Sequence, residues 1–181
     1  RASHALPPVV AAHLALATTY GLRPVEMREV GKEDLDFSSG PIYVETRKAG
    51  RQRYHLIPPE IAPILQQYNW PPRSTSYVAD LFTLLKSTAR LTGQAWQEVG
   101  LYSLRRGLAR ALLHGGMNEG QVHIFMRWKR GGQEMAIRYA TGTVLGEEGA
   151  ITHAPALRDE ELDRVAFTIN PWLPVWGETT P

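Results

Sequence analysis

The sequence predicts an α+β domain, mainly helical, with one small three-stranded antiparallel sheet. Apolar residues recur at helical spacing over most of the chain, while residues 34–57 hold three short strand-like runs separated by turn residues. Size sets the scale: 181 residues, 43% hydrophobic and 21% charged, without repeats or low-complexity tracts, suffice for one compact core.

The elements run in order along the chain. Pro7-Pro8 opens a helix through Val9 to Tyr20, with Val9, Leu14 and Leu16 among its apolar positions and Gly21 as its stop. A short second helix begins at Arg23-Pro24-Val25-Glu26, which places Arg23 at a helix entry where backbone N–H groups favour an anion. Strands are expected over Asp34 to Phe37, Ile42 to Thr46 and Arg53 to Ile57, joined by turns at Ser39-Gly40 and Lys48-Ala49-Gly50. Helices are then expected over Pro59 to Tyr68, Tyr77 to Leu91, Ser103 to Leu113, Asn118 to Met126, Gln133 to Leu145 and Leu157 to Ile169. Gly115-Gly116 supplies a break and Asn118 an N-cap. Residues 1–169 thus form the domain, and 170–181, with three Pro and two Trp, read as an irregular tail with apolar anchors.

Composition excludes several classes. Without cysteine there is neither a disulfide framework nor a thiolate metal site. The six histidines, His4, His13, His55, His114, His123 and His153, show no metal-ligand spacing with carboxylates, so no metal is expected. No Gly-x-Ser-x-Gly turn supports a serine hydrolase. No apolar run approaches the roughly 20 residues that span a bilayer, and nothing at the start resembles a signal peptide, so a soluble protein is expected. The chain begins at Arg1 rather than Met, which reads as a fragment or processed chain.

The net charge is only +2, but it is unevenly spread. Thr46 to Ile57 carries four cations and no acid, while Glu147 to Arg164 carries six acids against two Arg. Arg outnumbers Lys sixteen to four, which suits bidentate phosphate contacts. The stretch from Tyr102 to Tyr139 organises the chemistry. Arg105 has Leu101, Leu104 and Leu108 as helical neighbours, an expensive setting for a permanent charge without an anion. Between Leu101 and Arg130 six cations face one Glu, so no acid close in sequence answers them and a bound phosphate is the expected partner.

Taken together, these boxes resemble the tyrosine recombinases, or phage integrases. The matching pieces are Gly21-Leu22-Arg23-Pro24-Val25-Glu26 for the first arginine box and Lys48-Ala49-Gly50-Arg51-Gln52-Arg53 for the hairpin lysine. Tyr102-Ser103-Leu104-Arg105-Arg106-Gly107 matches the His-x-x-Arg box, Trp128 the His or Trp position, and Arg138-Tyr139 the nucleophile. The resemblance covers nearly all of Leu14 to Leu145 and implies the catalytic domain of such an enzyme, a site-specific DNA recombinase or integrase.

The resemblance assigns roles. Arg23 and Arg105 would stabilise charge on the non-bridging phosphate oxygens. Tyr139 would attack phosphorus and hold DNA through a 3′-phosphotyrosine, without cofactor or metal. Lys48 would protonate the leaving 5′ oxygen, Trp128 would pack against or hydrogen-bond the phosphate, and Glu26 would support the arginine region. Arg47, Arg51, Arg53, Arg106, Lys129 and Arg130 are the expected DNA contacts. Double-stranded DNA is the expected partner, with a homo-oligomer, a tetramer, assembled on it, inside the cell and away from membranes.

Two departures qualify the match. Tyr102 stands where the family carries histidine, and a phenol of pKa about 10 is a poorer proton acceptor at neutral pH than an imidazole of about 6.5, so Tyr102 is expected to position phosphate. Lys129-Arg130-Gly131-Gly132 lengthens the interval from Trp128 to Tyr139 and supplies a hinge. Two other readings stay open: a recombinase-derived DNA-binding module with little or no cleavage, which Tyr102 favours, and a type IB topoisomerase-like enzyme. The segment from Leu157 onward is expected to dock on a neighbouring protomer, with packing on its own domain as the other arrangement.

Overall fold

Helix α1 (Pro8–Tyr20) runs through the centre of the first of two packed clusters, and its second half, Ala15 to Tyr20, is buried on every side. A helix apolar all round has no solvent face to offer, so other elements surround it. The structure, a computed structural model, describes residues 6–38, 40–44, 53–70, 78–88, 90–128 and 159–178. The expected helix over Gln133 to Leu145 and the hairpin tip around Lys48 lie outside these residues.

After α1 come α2 (Pro24–Met27), a 3-10 turn (Lys32–Asp34), strands β1 (Pro41–Val44) and β2 (Arg53–Leu56), then α3 (Ala62–Gln67), α4 (Val78–Thr88) and α5 (Gln94–Gln97). Helices α6 (Leu101–His114), α7 (Glu119–Phe125), α8 (Asp159–Ile169) and α9 (Leu173–Gly177) complete the order among the described residues. Helices α3, α4, α6 and α9 gather about α1, while α6, α7 and α8 enclose the second cluster around Leu108, Leu112, Phe125 and Leu162. Phe167 packs against both.

The sheet corrects the expectation of three strands. Among the described residues only β1 and β2 pair, antiparallel, with Ile42 opposite His55 and Val44 opposite Arg53. The stretch Asp34 to Phe37 contributes a single bridge, Leu35 to Ile42. Its first residue belongs to the 3-10 turn, and Asp36 closes a tight reversal by accepting from Ser38 N–H and Oγ–H and from Gly40 N–H. A reversal that tight leaves no length for a ladder.

Local signals set the corner between α6 and α7. Asn118 caps α7 by accepting from Gln121 N–H at 2.9 Å, while Gln121 accepts from Asn118 N–H at 2.9 Å. In Gly115-Gly116 the two glycines serve different ends. A Cβ on Gly115 would lie 2.2 Å from Ile169 of α8, and Gly116 takes φ 101° to close the helix.

Residues 170–178 also depart from the irregular tail that the sequence predicts. They form α9 and pack on their own domain: Asn170 Nδ2 donates to Thr18 O at 3.0 Å, Trp176 Nε1 donates to Thr18 Oγ1 at 2.9 Å, and Leu173 joins the α1 cluster.

Candidate active site around Glu26

The chain reverses at Gly21, whose φ of 59° is open to glycine, and a Cβ there would lie 2.7 Å from Met126 Cε. That turn delivers Arg23 to the start of α2 and Glu26 one turn later. Glu26 reaches back: its Oε2 accepts from Arg23 N–H at 2.8 Å, and its Oε1 accepts from Arg23 Nη1.

Arg105 arrives from α6. Its Nη1 donates to Gly21 O, its Nη2 donates to Met126 O at 2.5 Å, and Nη1 lies 3.7 Å from Glu26 Oε2. One side chain thereby ties the α1–α2 corner to the end of α7. The sequence expectation that Arg105 lies on a core face and needs an anion is met, but an internal acid stands beside it. Glu26, which the family resemblance assigns to the arginine region, lies 79 positions before Arg105, outside the interval Leu101 to Arg130.

A third guanidinium completes the group, and the sequence reading missed it. Arg127 is fully buried, with Nη2 3.4 Å from Glu26 Oε2 and 3.1 Å from Tyr20 O, and Nη1 3.2 Å from Phe125 O. Burial works to raise the Glu26 carboxyl, but Arg127, Arg105, the Arg23 N–H and the Arg23 guanidinium together hold it below the ordinary carboxylate range. Glu26 is therefore ionised at neutral pH. One negative charge is shared among three cations, and of these Arg23, with its side chain 22% exposed, opens most to solvent.

Beyond Arg127 the polar chain continues. Arg127 Nη1 lies 2.6 Å from His55 Nε2, and His55 Nδ1 lies 3.0 Å from Asp163 Oδ1. Asp163 also accepts from Leu56 N–H at 2.8 Å and from Arg53 Nη2 at 2.8 Å. Arg53 corrects an expectation. Placed on DNA by the sequence reading, it is buried, donates further to Asp159 O at 2.6 Å, and stacks 5.8 Å from the Phe125 ring. Strand parity is the cause: Arg53 and His55 share the face of Val44 and Ile42, both fully buried, while Tyr54 points outward at 62% exposure.

The remaining expected residues divide. Trp128 is buried at the end of α7, edge-on to His123 at 6.0 Å. Tyr102 is 55% exposed, and Arg106 is exposed on the same helix, 3.4 Å from Ser103 Oγ. Lys48, Arg47, Arg51, Lys129, Arg130 and Tyr139 lie outside the described residues. Two signals would have found the missed groups. Asp163 interrupts the apolar stripe of Leu162, Ala166 and Phe167, and Arg127 occupies the residue after a helix end, where Gly or Asn is usual.

No protein-family model and no curated protein matches the sequence. Among solved structures, the crystal structure of XerA recombinase is similar, with a TM-score of 0.59 and 14% identity over 76% of this chain. The match spans 54% of the XerA chain, about half its length. The chain thus has a tyrosine-recombinase-like fold, mainly helical and, among the described residues, with a two-stranded sheet. No helix among the described residues is long and apolar enough to cross a membrane.

Proposed function

We propose that this chain is the catalytic domain of a site-specific DNA recombinase or integrase that cleaves and rejoins DNA through a 3′-phosphotyrosine. One observation carries the reading: Arg23 and Arg105, 82 positions apart, meet at a single carboxylate within a recombinase-like fold. The Arg105 guanidinium, fixed by two backbone carbonyls beside Glu26, and the Arg23 guanidinium, fixed by Glu26, are preorganised for the charge that develops on a phosphate under attack. Glu26 keeps them in place without neutralising all three of its cationic neighbours.

In this reading the Tyr139 oxygen gives its proton to solvent and bonds to phosphorus. The bond from phosphorus to the 5′ oxygen breaks to leave a 3′-phosphotyrosine, and the 5′ oxygen takes a proton from Lys48 and leaves as a hydroxyl. Attack by that 5′ hydroxyl reverses the step and reseals DNA. Trp128 flanks the phosphate, Tyr102 positions it, and Arg47, Arg51, Arg106, Lys129 and Arg130 contact the backbone of double-stranded DNA. Several such chains, a tetramer, act together on DNA.

A second reading, a DNA-binding module with little cleavage, is favoured by Tyr102. Its exposed phenol replaces the imidazole that the family resemblance calls for. A nicked DNA substrate separates the two. The recombinase reading expects a covalent adduct on the 3′ side, resistant to denaturation, that disappears in Tyr139→Phe while DNA affinity changes little. Binding without any adduct would establish the second reading. An adduct that survives Tyr139→Phe would transfer the nucleophile's role to another tyrosine, Tyr102 first.

A further inference from the structure

Arg127 adopts a backbone conformation that its residue type disfavours. Helix α7 ends in a Schellman turn: Arg127 N–H donates to Ile124 O at 3.1 Å and Trp128 N–H donates to His123 O at 3.1 Å, with φ of 56° at Arg127. Glycine fits that position without steric cost, and an L side chain there persists only where its surroundings hold it. The side chain must supply what the backbone disfavours.

What it supplies is a junction of four elements. The guanidinium meets Tyr20 O of α1, Glu26 of α2, His55 of β2 and Phe125 O of α7. A guanidinium can only donate, so the His55 Nε2 facing it is the acceptor and Nδ1 carries the hydrogen, given to Asp163. Burial, against the opposing pull of Asp163 and with Arg127 and Arg53 adding to it, lowers the His55 pKa to about 4 and keeps the ring neutral for this role. Asp163 in turn belongs to α8, so the orientation of one imidazole links α8 to the carboxylate between Arg23 and Arg105.

We propose that Arg127 is a positioning residue, which holds Glu26, and through it Arg23 and Arg105, in the geometry that grips the reacting phosphate, and is itself oriented by His55 and Asp163. The inference rests on the DNA-cleaving reading of the site. Arg127 is fully buried, so its effect passes through Glu26.

The test uses Arg127→Gly, which suits the backbone and removes the guanidinium, with Arg127→Lys as a second variant that keeps the charge but not the fork. Carboxyl NMR without DNA follows the Glu26 titration, which should move upward in Arg127→Gly. Adduct formation on saturating nicked DNA should slow about tenfold to a hundredfold, with DNA affinity within about threefold of the parent. Millimolar guanidinium ion should restore part of the rate in Arg127→Gly and none in Arg127→Lys, where the cavity stays filled.

An unmoved Glu26 titration would overturn the proposal. So would a shifted titration with an adduct rate equal to the parent's, because Arg127 would then serve the fold alone. If Arg127→Gly fails to fold, the adduct rate of Arg127→Lys decides: a slowed adduct at unchanged DNA affinity supports the proposal, and a rate equal to the parent's overturns it. A parent that forms no adduct sinks the cleavage reading by itself, and the Glu26 titration still decides whether Arg127 governs that carboxylate.

Discussion

His55 Nε2 faces Arg127 Nη1 at 2.6 Å, and this contact joins two buried ion groups, Glu26 with its arginines and Asp163 with Arg53, into one continuous chain. A protonated imidazole would set a cation against a cation there. The neutral ring is therefore part of the fold, and the groups that face it (Asp163, Arg127 and Arg53, with the Tyr20 and Phe125 rings) define how acid acts on the protein.

The native His55 pKa of about 4 lies below the ordinary histidine value of 6.5. As pH falls from 6.5 to 4, the unfolded chain takes a proton that the native chain refuses, so stability declines with acid, by up to about 3 kcal/mol. Glu26, also held low, adds a loss of the same sign below its unfolded value of 4.5. Urea midpoints measured from pH 7 to 4.5 should fall in the parent, and less steeply in His55→Gln. Equal slopes in the two proteins would show that His55 carries no such linkage.

Gly21→Ala should destabilise the fold by about 1–3 kcal/mol, since it meets both an unfavourable φ and Met126 Cε at 2.7 Å. The Gly21 carbonyl takes Arg105 Nη1, so the same substitution should slow adduct formation more than an equally destabilising change far from the site. Matching thermal midpoints against a surface-distant control would check this.

Removal of residues 170–181 should cost stability rather than leave the domain intact. Leu173 and Trp176 lie in the core beside α1, and truncating a buried Trp typically costs about 3–5 kcal/mol. Trp176→Ala alone should show most of the loss in denaturant unfolding. If both changes leave the unfolding midpoint in place, the packing of α9 on its own domain contributes nothing to the isolated chain.

Arg105 and Arg106 are neighbours in sequence with opposite expected behaviour. Arg105→Lys cannot span Gly21 O and Met126 O together, so it should slow cleavage strongly with modest loss of DNA affinity. Arg106→Ala removes an exposed cation; it should weaken binding about equally across DNA sequences and lower the slope of log affinity against log salt by about 1. Salt titrations of DNA binding for both variants give the comparison, and an unchanged slope in Arg106→Ala would remove it from the DNA surface.

Much of the scaffold was legible because it depends on neighbours in sequence. Pro8 and Gly21 bound α1, Asn118 caps α7, and Gly115-Gly116 ends α6, each through bonds that span five residues or fewer. Arg105 on an apolar helix face was legible for the same reason. The third strand and the tail were not. The tail helix is held by Thr18 across 158 positions, which no local pattern records, whereas the turn closed by Asp36 is a local reversal to Ser38 and Gly40 that strand-like composition alone overlooks.

By itself, the sequence determined a mainly helical domain with a small antiparallel sheet, an arginine at the entry of α2, and a second arginine on an apolar helix face in need of an anion. Only the tertiary structure decided which anion answers Arg105, that Arg53 turns inward to Asp163, and that Arg127 and His55 join the two ion groups. The physical reason is separation: His55 and Arg127 are 72 positions apart, and Arg53 and Asp163 are 110. Helical or strand periodicity shows which face a residue occupies, but the partner across the core is chosen by how whole elements pack, where an unpaired buried charge is too costly to leave.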